Sequence, residues 1–234
     1  MSTGDVLLWV VLPYVSVTIF IAGHIWRYRR DQFGWTSRSS QLLERRLLDW
    51  GSPLFHYGAL AAIGGHVLGI LIPASATEAI GISEHAYHLI ATIPGSIAGV
   101  VTVVGLAILI YRRATVRRVA VTTTWLDLGA YVLLTVAIVI GTVETLAYQA
   151  FGTSHEYRET VAPWFRSLVG FQPETESISE APLIFQIHAI SAWPLYMLWP
   201  FTRLVHVWSI PLQYLGRPYI LYRSRSPAAR QLGR

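Results

Sequence analysis

Long apolar runs alternate along this chain with short polar segments rich in arginine. Five runs stand out, at about Val6–Ile25, Pro53–Ile72, Leu89–Tyr111, Trp125–Tyr148 and Leu183–Ile210. Each reaches the roughly 20 apolar residues that a helix needs to cross a hydrocarbon core. A soluble amphipathic helix would instead place its apolar residues three and four apart, with polar residues between. The pattern predicts an all-α integral membrane fold, a bundle of five transmembrane helices in a single membrane domain over 1–234. Residues 211–234 form a tail. Met1–Asp5 holds no basic residue, so the first run is expected to be a retained span rather than a cleaved signal peptide.

Composition supports this reading. Of 234 residues, 53% are hydrophobic and 13% charged, against about a quarter charged in ordinary soluble domains. The mean hydropathy is +0.45. Cysteine is absent, which excludes thiolate-held iron–sulfur clusters, disulfides and a covalently attached c-type haem. The net charge of +5 could point to nucleic acid, but the placement of the arginines decides otherwise. No lysine occurs, and sixteen of the eighteen arginines fall in segments that alternate to one side of a five-span chain. These are Arg27–Arg46 after the first span, Arg112–Arg118 after the third, and Arg203 with the tail. The opposite side holds only Arg158 and Arg166, among several carboxylates. Basic loops stay in the cytoplasm, so the N-terminus is expected outside and the C-terminus inside, facing anionic lipid headgroups or a partner subunit. Trp26, Trp35, Trp50, Trp125, Trp199 and Trp208 sit near span ends, as interfacial aromatics do. In the longest outer loop, Thr160–Phe171 reads as a short helix on the membrane surface.

Histidines inside a bilayer are costly and mark candidate functional sites. His56 and His66 lie in the second span, His188 and His206 in the fifth. Because those spans run antiparallel, His56 shares the cytoplasmic depth with His206, and His66 shares the outer depth with His188. The rise of an α-helix puts the two layers roughly 20 Å apart, with some bending supplied by Pro194 and Pro200. Two neutral imidazoles from facing helices are suitable axial ligands for a haem iron. The pattern therefore predicts two haem b groups, and Arg203 is a candidate partner for a haem propionate. Zinc or copper is disfavoured, since each layer offers two imidazoles without cysteine or carboxylate. His24 reads as interfacial and His155 as solvated. His85, Tyr87 and His88 open the third span at the depth of His66, as a polar helix start or as part of a quinol site.

The stretch Ser52-Pro-Leu-Phe-His56-Tyr-Gly-Ala-Leu-Ala-Ala-Ile-Gly-Gly-His66 resembles the second span of the gamma subunit of respiratory nitrate reductase. So does Pro200-Phe-Thr-Arg-Leu-Val-His206-Val-Trp-Ser-Ile-Pro211 in the fifth. The likeness runs from the first span to about Arg225. It implies a multi-pass subunit of the cell membrane that oxidises a quinol near the outer face. Electrons would pass through two b haems to an iron–sulfur (beta) subunit and a molybdenum catalytic (alpha) subunit, where nitrate is reduced. On this resemblance His66 and His188 hold the outer haem, His56 and His206 the inner one, and Gly65 lines the quinol site. The family's quinol-site lysine has no counterpart here, and Tyr87 or His88 stands in its place. The tail 211–234 and the basic loops would contact the partner subunits.

Two other readings stay open on the residues alone. One is a di-haem b subunit of another respiratory complex, serving hydrogenase, formate dehydrogenase or a sulfur-cycle reductase. The other is a haem-free transporter or membrane anchor that carries histidines.

Overall fold

A computed structural model of the chain describes residues 2–151, 155–209 and 216. The described part is helical, with no strand among the described residues. A first helix starts as α1 (Thr3–Val6), widens through a π-turn at Leu7–Val11, and continues as α2 (Leu12–Arg30). Its start is fixed by a capping box in which Ser2 and Asp5 exchange hydrogen bonds. After a polar loop come α3 (Arg46–His66), which runs into a π-turn at Val67–Leu71, and the short α4 (Ala74–Ala79). The long α5 (Glu84–Thr115) is N-capped by Ser83, whose hydroxyl accepts from the Ala86 N–H. The short α6 (Arg117–Ala120) leads to α7 (Trp125–Glu144), extended by a π-turn at Thr145–Ala150. The Thr124 hydroxyl and the Asp127 carboxylate form a capping box at the start of α7. Then α8 (Val161–Val169) and α9 (Glu176–Glu180) precede α10 (Leu183–Leu198).

Four helical segments among the described residues are long and apolar enough to cross a membrane: Thr3–Arg30, Arg46–Leu71, Glu84–Thr115 and Trp125–Tyr148. They cover the first four expected stretches to within one residue, mostly with an extra turn or two at the ends. The fifth differs. Its α-helix stops at Leu198 after 16 residues and gives way to tighter 3-10 turns at Trp199–Phe201 and Arg203–Ser209. Proline is the physical cause, because Pro194 and Pro200 bring no N–H to the ladder. Thr202 is extended between the two 3-10 runs. Ile210 and all of the tail 211–234 except Gly216 lie outside the described residues.

The packing of the long helices positions the site. α3 packs along α5, α5 on α7, α7 on α10, and α10 on α2. α3 and α10 do not pack closely on each other, so the arc α3–α5–α7–α10 encloses a slot left open between its two end helices. Glycine allows the tightest of these contacts. A Cβ on Gly58 would meet the Thr102 backbone nitrogen at 2.8 Å, and one on Gly105 would strike the Phe55 backbone. Gly58 thus serves the α3–α5 approach.

The two ends of the bundle are tied differently. At the 155–180 end, α8 forms where a surface helix was expected, but its apolar face turns inward. Trp164, Leu168, Ile178, Phe185 and Trp193 gather with Trp9 into a buried cluster, and Trp164 Nε1 donates to the Trp9 carbonyl at 2.9 Å. Arg166 donates to the Ile70 carbonyl at 3.0 Å and Arg158 to the Ile72 carbonyl at 3.4 Å, at the C-terminal end of the second span. At the arginine-rich end, the loop 31–45 is drawn onto the helices. Arg27 donates to the Gly34, Pro200 and Thr202 carbonyls, and Arg112 grips Ser40 and Glu44.

Candidate functional site

The four histidines of the second and fifth stretches come together in two pairs across the open slot. The rings of His56 and His206 lie 5.9 Å apart between centroids, with planes at 75°. Those of His66 and His188 lie 6.0 Å apart, at 45°. His56 and His66 project from α3, which displays its residues along one regular helix, while His188 sits in α10 and His206 in the 3-10 run after it. His188 and His206 are therefore not carried by one continuous α-helix. The break at Thr202 and the tighter turns bring His206 round instead.

Three of the four imidazoles are oriented by backbone carbonyls. Nδ1 of His56 hydrogen-bonds to the Ser52 carbonyl at 2.7 Å, Nδ1 of His66 to that of Ala62 at 2.8 Å, and Nδ1 of His206 to that of Arg203 at 2.7 Å. Each contact assigns the proton to Nδ1 and leaves Nε2 with its lone pair, the usual preparation of a metal-binding imidazole. His188 differs, because its buried Nδ1 closes no hydrogen bond; the backbone of Ala137 neighbours it. A Cβ on Gly141 would sit 2.7 Å from His188 Cε1, so glycine there is what admits the ring. On the other side of the slot, Gly64 and Gly65 beside His66 meet nothing within 4 Å of a Cβ.

This geometry fits a shared metal centre better than a hydrogen-bonded pair. Two imidazoles on opposite sides of one ion, with bonds of about 2.0–2.1 Å, hold their centroids roughly 6 Å apart. Within neither pair do the rings hydrogen-bond to each other among the described contacts. Among the described residues no three ligating side chains gather, so each ion would need its other ligands from a cofactor, as a haem macrocycle supplies. The slot between α3 and α10, lined at the His66 end by Gly64 and Gly65, suits a flat group.

The other candidates are placed as follows. Arg203 does not reach into open space. Its Nε and Nη2 donate to the buried Asp127 carboxylate at 2.8 and 2.6 Å, leaving Nη1 outside the pair. Tyr87 is 3% exposed, and its hydroxyl meets that of Tyr157 at 2.7 Å beside Gly69, one turn beyond His66. The Arg158 guanidinium lies 3.8 Å over the Tyr87 ring and also bonds Thr77 and Glu84. His88 is half-buried and Gly65 and His66 are exposed, so of the quinol-site candidates these three face accessible space while Tyr87 is locked away. Burial, then the hydrogen bond with Tyr87, pushes the Tyr157 phenol above its ordinary pKa. At the other end, burial opposes ionisation of Glu44, but the Leu47 N–H and the Arg112 guanidinium outweigh it and hold the carboxyl below its ordinary value.

Asp127 and Tyr157 carry roles that the sequence pattern did not single out. Asp127 was legible in part, since Thr124-x-x-Asp127 is a capping-box spacing. Nothing in the sequence marked Tyr157, which reaches Tyr87 only through tertiary folding.

Comparison with known proteins identifies the family. The model of the nitrate reductase gamma subunit family matches residues 5–225. The chain is 46% identical to the nitrate reductase gamma chain of Bacillus subtilis over 94% of this chain and 98% of that one. It is 34% identical to the respiratory nitrate reductase 2 gamma chain of Escherichia coli, over 92% and 95%. It is also 52% identical over 95% of its length to the nitrate reductase-like protein NarX of Mycobacterium tuberculosis, of which it spans only 35%. With helices built to cross a membrane and a match over nearly its whole length, the chain is a membrane protein that belongs to the nitrate reductase gamma subunit family.

Proposed function

We propose that this chain is the di-haem b membrane subunit of a respiratory nitrate reductase, embedded in the cell membrane and oxidising quinol near the outer face. The observation that carries the reading is the pair of imidazole couples, at 5.9 and 6.0 Å, across the slot where α3 and α10 do not pack. His66 and His188 would hold the outer haem and His56 and His206 the inner one, each through Nε2. When bound, the two haems supply one-electron carriers arranged along the bilayer normal, within reach of both faces.

The chain's own residues set the frame for that transfer. The Ser52, Ala62 and Arg203 carbonyls fix three imidazoles through Nδ1. Arg203 offers Nη1 to a propionate while Asp127 holds the rest of its guanidinium. Quinol would dock beside Gly65 and His66, with His88 at the rim as a proton acceptor and Tyr87 shaping the wall. Electrons would leave at the arginine-rich end to an iron–sulfur subunit and then to a molybdenum subunit that reduces nitrate, with the basic tail 211–234 part of the docking face. Family membership and the relatives' names as gamma chains support a complex with other nitrate reductase subunits.

The topology belongs to the same proposal. The stretch 183–201 makes the fifth crossing: 16 α-helical residues at 1.5 Å each and three 3-10 residues at 2.0 Å rise roughly 30 Å, about the thickness of a bilayer core, before the break at Thr202 turns the chain beside α2. Five crossings with the arginine-rich loops inside place the N-terminus outside and the C-terminus in the cytoplasm. The test is spectral. In native membranes, quinol should reduce b-type haem absorption and nitrate should reoxidise it. Reoxidation by another acceptor but not by nitrate would move the chain to a different respiratory complex.

A further inference from the structure

His206 is the one histidine of the four that does not sit in an α-helix. Its 3-10 run, Arg203–Ser209, is separated from α10 by the extended Thr202. Runs of this kind have poorer internal hydrogen bonds than an α-helix and are short for that reason. What orients the His206 ring must then come partly from outside the run, and the first long helix supplies it.

His24 of α2 donates from Nδ1 to the Phe20 carbonyl at 2.6 Å, which leaves Nε2 as an acceptor. That nitrogen receives the indole N–H of Trp208 at 3.1 Å. The His24 ring is enclosed by Phe20 at 4.3 Å and Trp35 at 5.6 Å, so it is held against rotation. The Ser209 hydroxyl donates to the Trp35 carbonyl at 3.2 Å. One turn further along α2, Arg27 ties down the Pro200 and Thr202 carbonyls at 2.7 Å each. In a 3-10 helix, residues two apart point about 240° from each other. His206 therefore faces His56 across the slot while Trp208 faces α2, and the run acts as a short lever between them.

We propose that His24 and Trp208 are positioning residues for the inner haem: the hydrogen bond between them sets the rotation of the 203–209 run and with it the plane of the His206 imidazole. This rests on the reading above that His206 is an axial ligand. The ligand plane and the strength of the iron–nitrogen bond tune a haem's potential and its ferric spectrum. The clamp should act on one haem alone, because His188 and His66 are carried by regular helix.

The experiment compares Trp208→Phe, which keeps the ring and removes the donor, with His24→Phe, which removes the acceptor, and His24→Gln, whose amide oxygen can accept from Trp208. Haem content, the midpoint potential of each haem and the low-spin ferric EPR signals are measured on purified protein. The inner haem is identified in a His66→Ala background. The expected result is two haems per chain in all three variants. Trp208→Phe and His24→Phe shift the potential and EPR signal of the inner haem only, and His24→Gln returns them towards the unsubstituted values. Unchanged potentials and signals in both Phe variants would overturn the clamp, and so would equal disturbance or loss of both haems. If Trp208→Phe fails to accumulate, His24→Phe against His24→Gln decides alone. An unsubstituted chain without haem would instead overturn the reading on which the clamp rests.

Discussion

Replacing Asp127 by asparagine removes the charge that holds Arg203 at the start of the run bearing His206. The pair is bidentate, and the two side chains are 1% and 15% exposed, so water cannot take over the role of the carboxylate. Leaving one partner of a buried pair uncompensated costs about 3–5 kcal/mol. Asparagine keeps one acceptor oxygen for the guanidinium, which favours the lower end, about 3 kcal/mol. At about 1.4 kcal/mol per factor of ten, that weakens docking of the 203–209 run by roughly a hundredfold. The assay is retention of haem per chain during stepwise heating in detergent, read by absorption, beside thermal unfolding followed by circular dichroism. Asp127→Asn should release the haem bound by His206 at a lower temperature than the other, with helicity little changed. The double variant Asp127→Leu with Arg203→Leu removes both charges and should recover part of the loss in thermal unfolding, since a buried pair is replaceable by apolar packing, but not the haem retention, because it also removes the Arg203 donor proposed for a propionate. A single variant that keeps both haems through the same temperature range as the unsubstituted chain would refute the idea that this pair anchors the run.

Other outcomes follow from particular contacts. Gly105→Leu drives a side chain into the Phe55 backbone, where no flexible group can yield; it should cost at least about 1–3 kcal/mol and be seen as a lowered Tm or loss of monodisperse protein. Tyr157→Phe leaves the buried Tyr87 hydroxyl without its partner and should cost about 1 kcal/mol in thermal stability with no change in haem content. Glu44 has a depressed carboxyl pKa in the fold, so its contact with Arg112 stabilises the chain above the ordinary carboxylate value and is lost as pH falls through the depressed one. Proteolysis of the 31–45 loop should therefore rise on acidification below about pH 4, and Glu44→Gln should show the higher susceptibility already at neutral pH with a flatter pH profile.

Much of the architecture could be read directly from the pattern of residues, because in a bilayer hydropathy and backbone satisfaction impose the same answer. The runs at Val6, Pro53, Leu89 and Trp125 all became long helices for that reason. That His56 would approach His206, and His66 His188, could also be read from their spacing, since a spacing along a helix converts into rise. The fifth stretch was not: an apolar composition is silent about whether the chain winds as an α-helix or a 3-10 helix, and the prolines show where a break is possible without giving its form. The arginines also misled in part. Arg27, Arg112 and Arg113 belong to the basic side by count, yet they are 4%, 2% and 9% exposed and spend their donors on backbone and side-chain oxygens at that end of the bundle. Among the described residues, the charge proposed for docking would fall to the exposed Arg29, Arg30, Arg38, Arg45, Arg46, Arg117 and Arg118. Tyr87, legible as a polar residue at the start of a helix, turned inward because Tyr157 and Gly69 offer it a partner and a gap.

The most direct test of the central claim is the number of haems held by the purified chain and by its single histidine variants, measured as the pyridine haemochrome. Two haems b are expected per unsubstituted chain, one after His66→Ala and one after His56→Ala, with the surviving absorption differing between the two variants. A colourless chain would contradict the account, as would two haems retained in either variant.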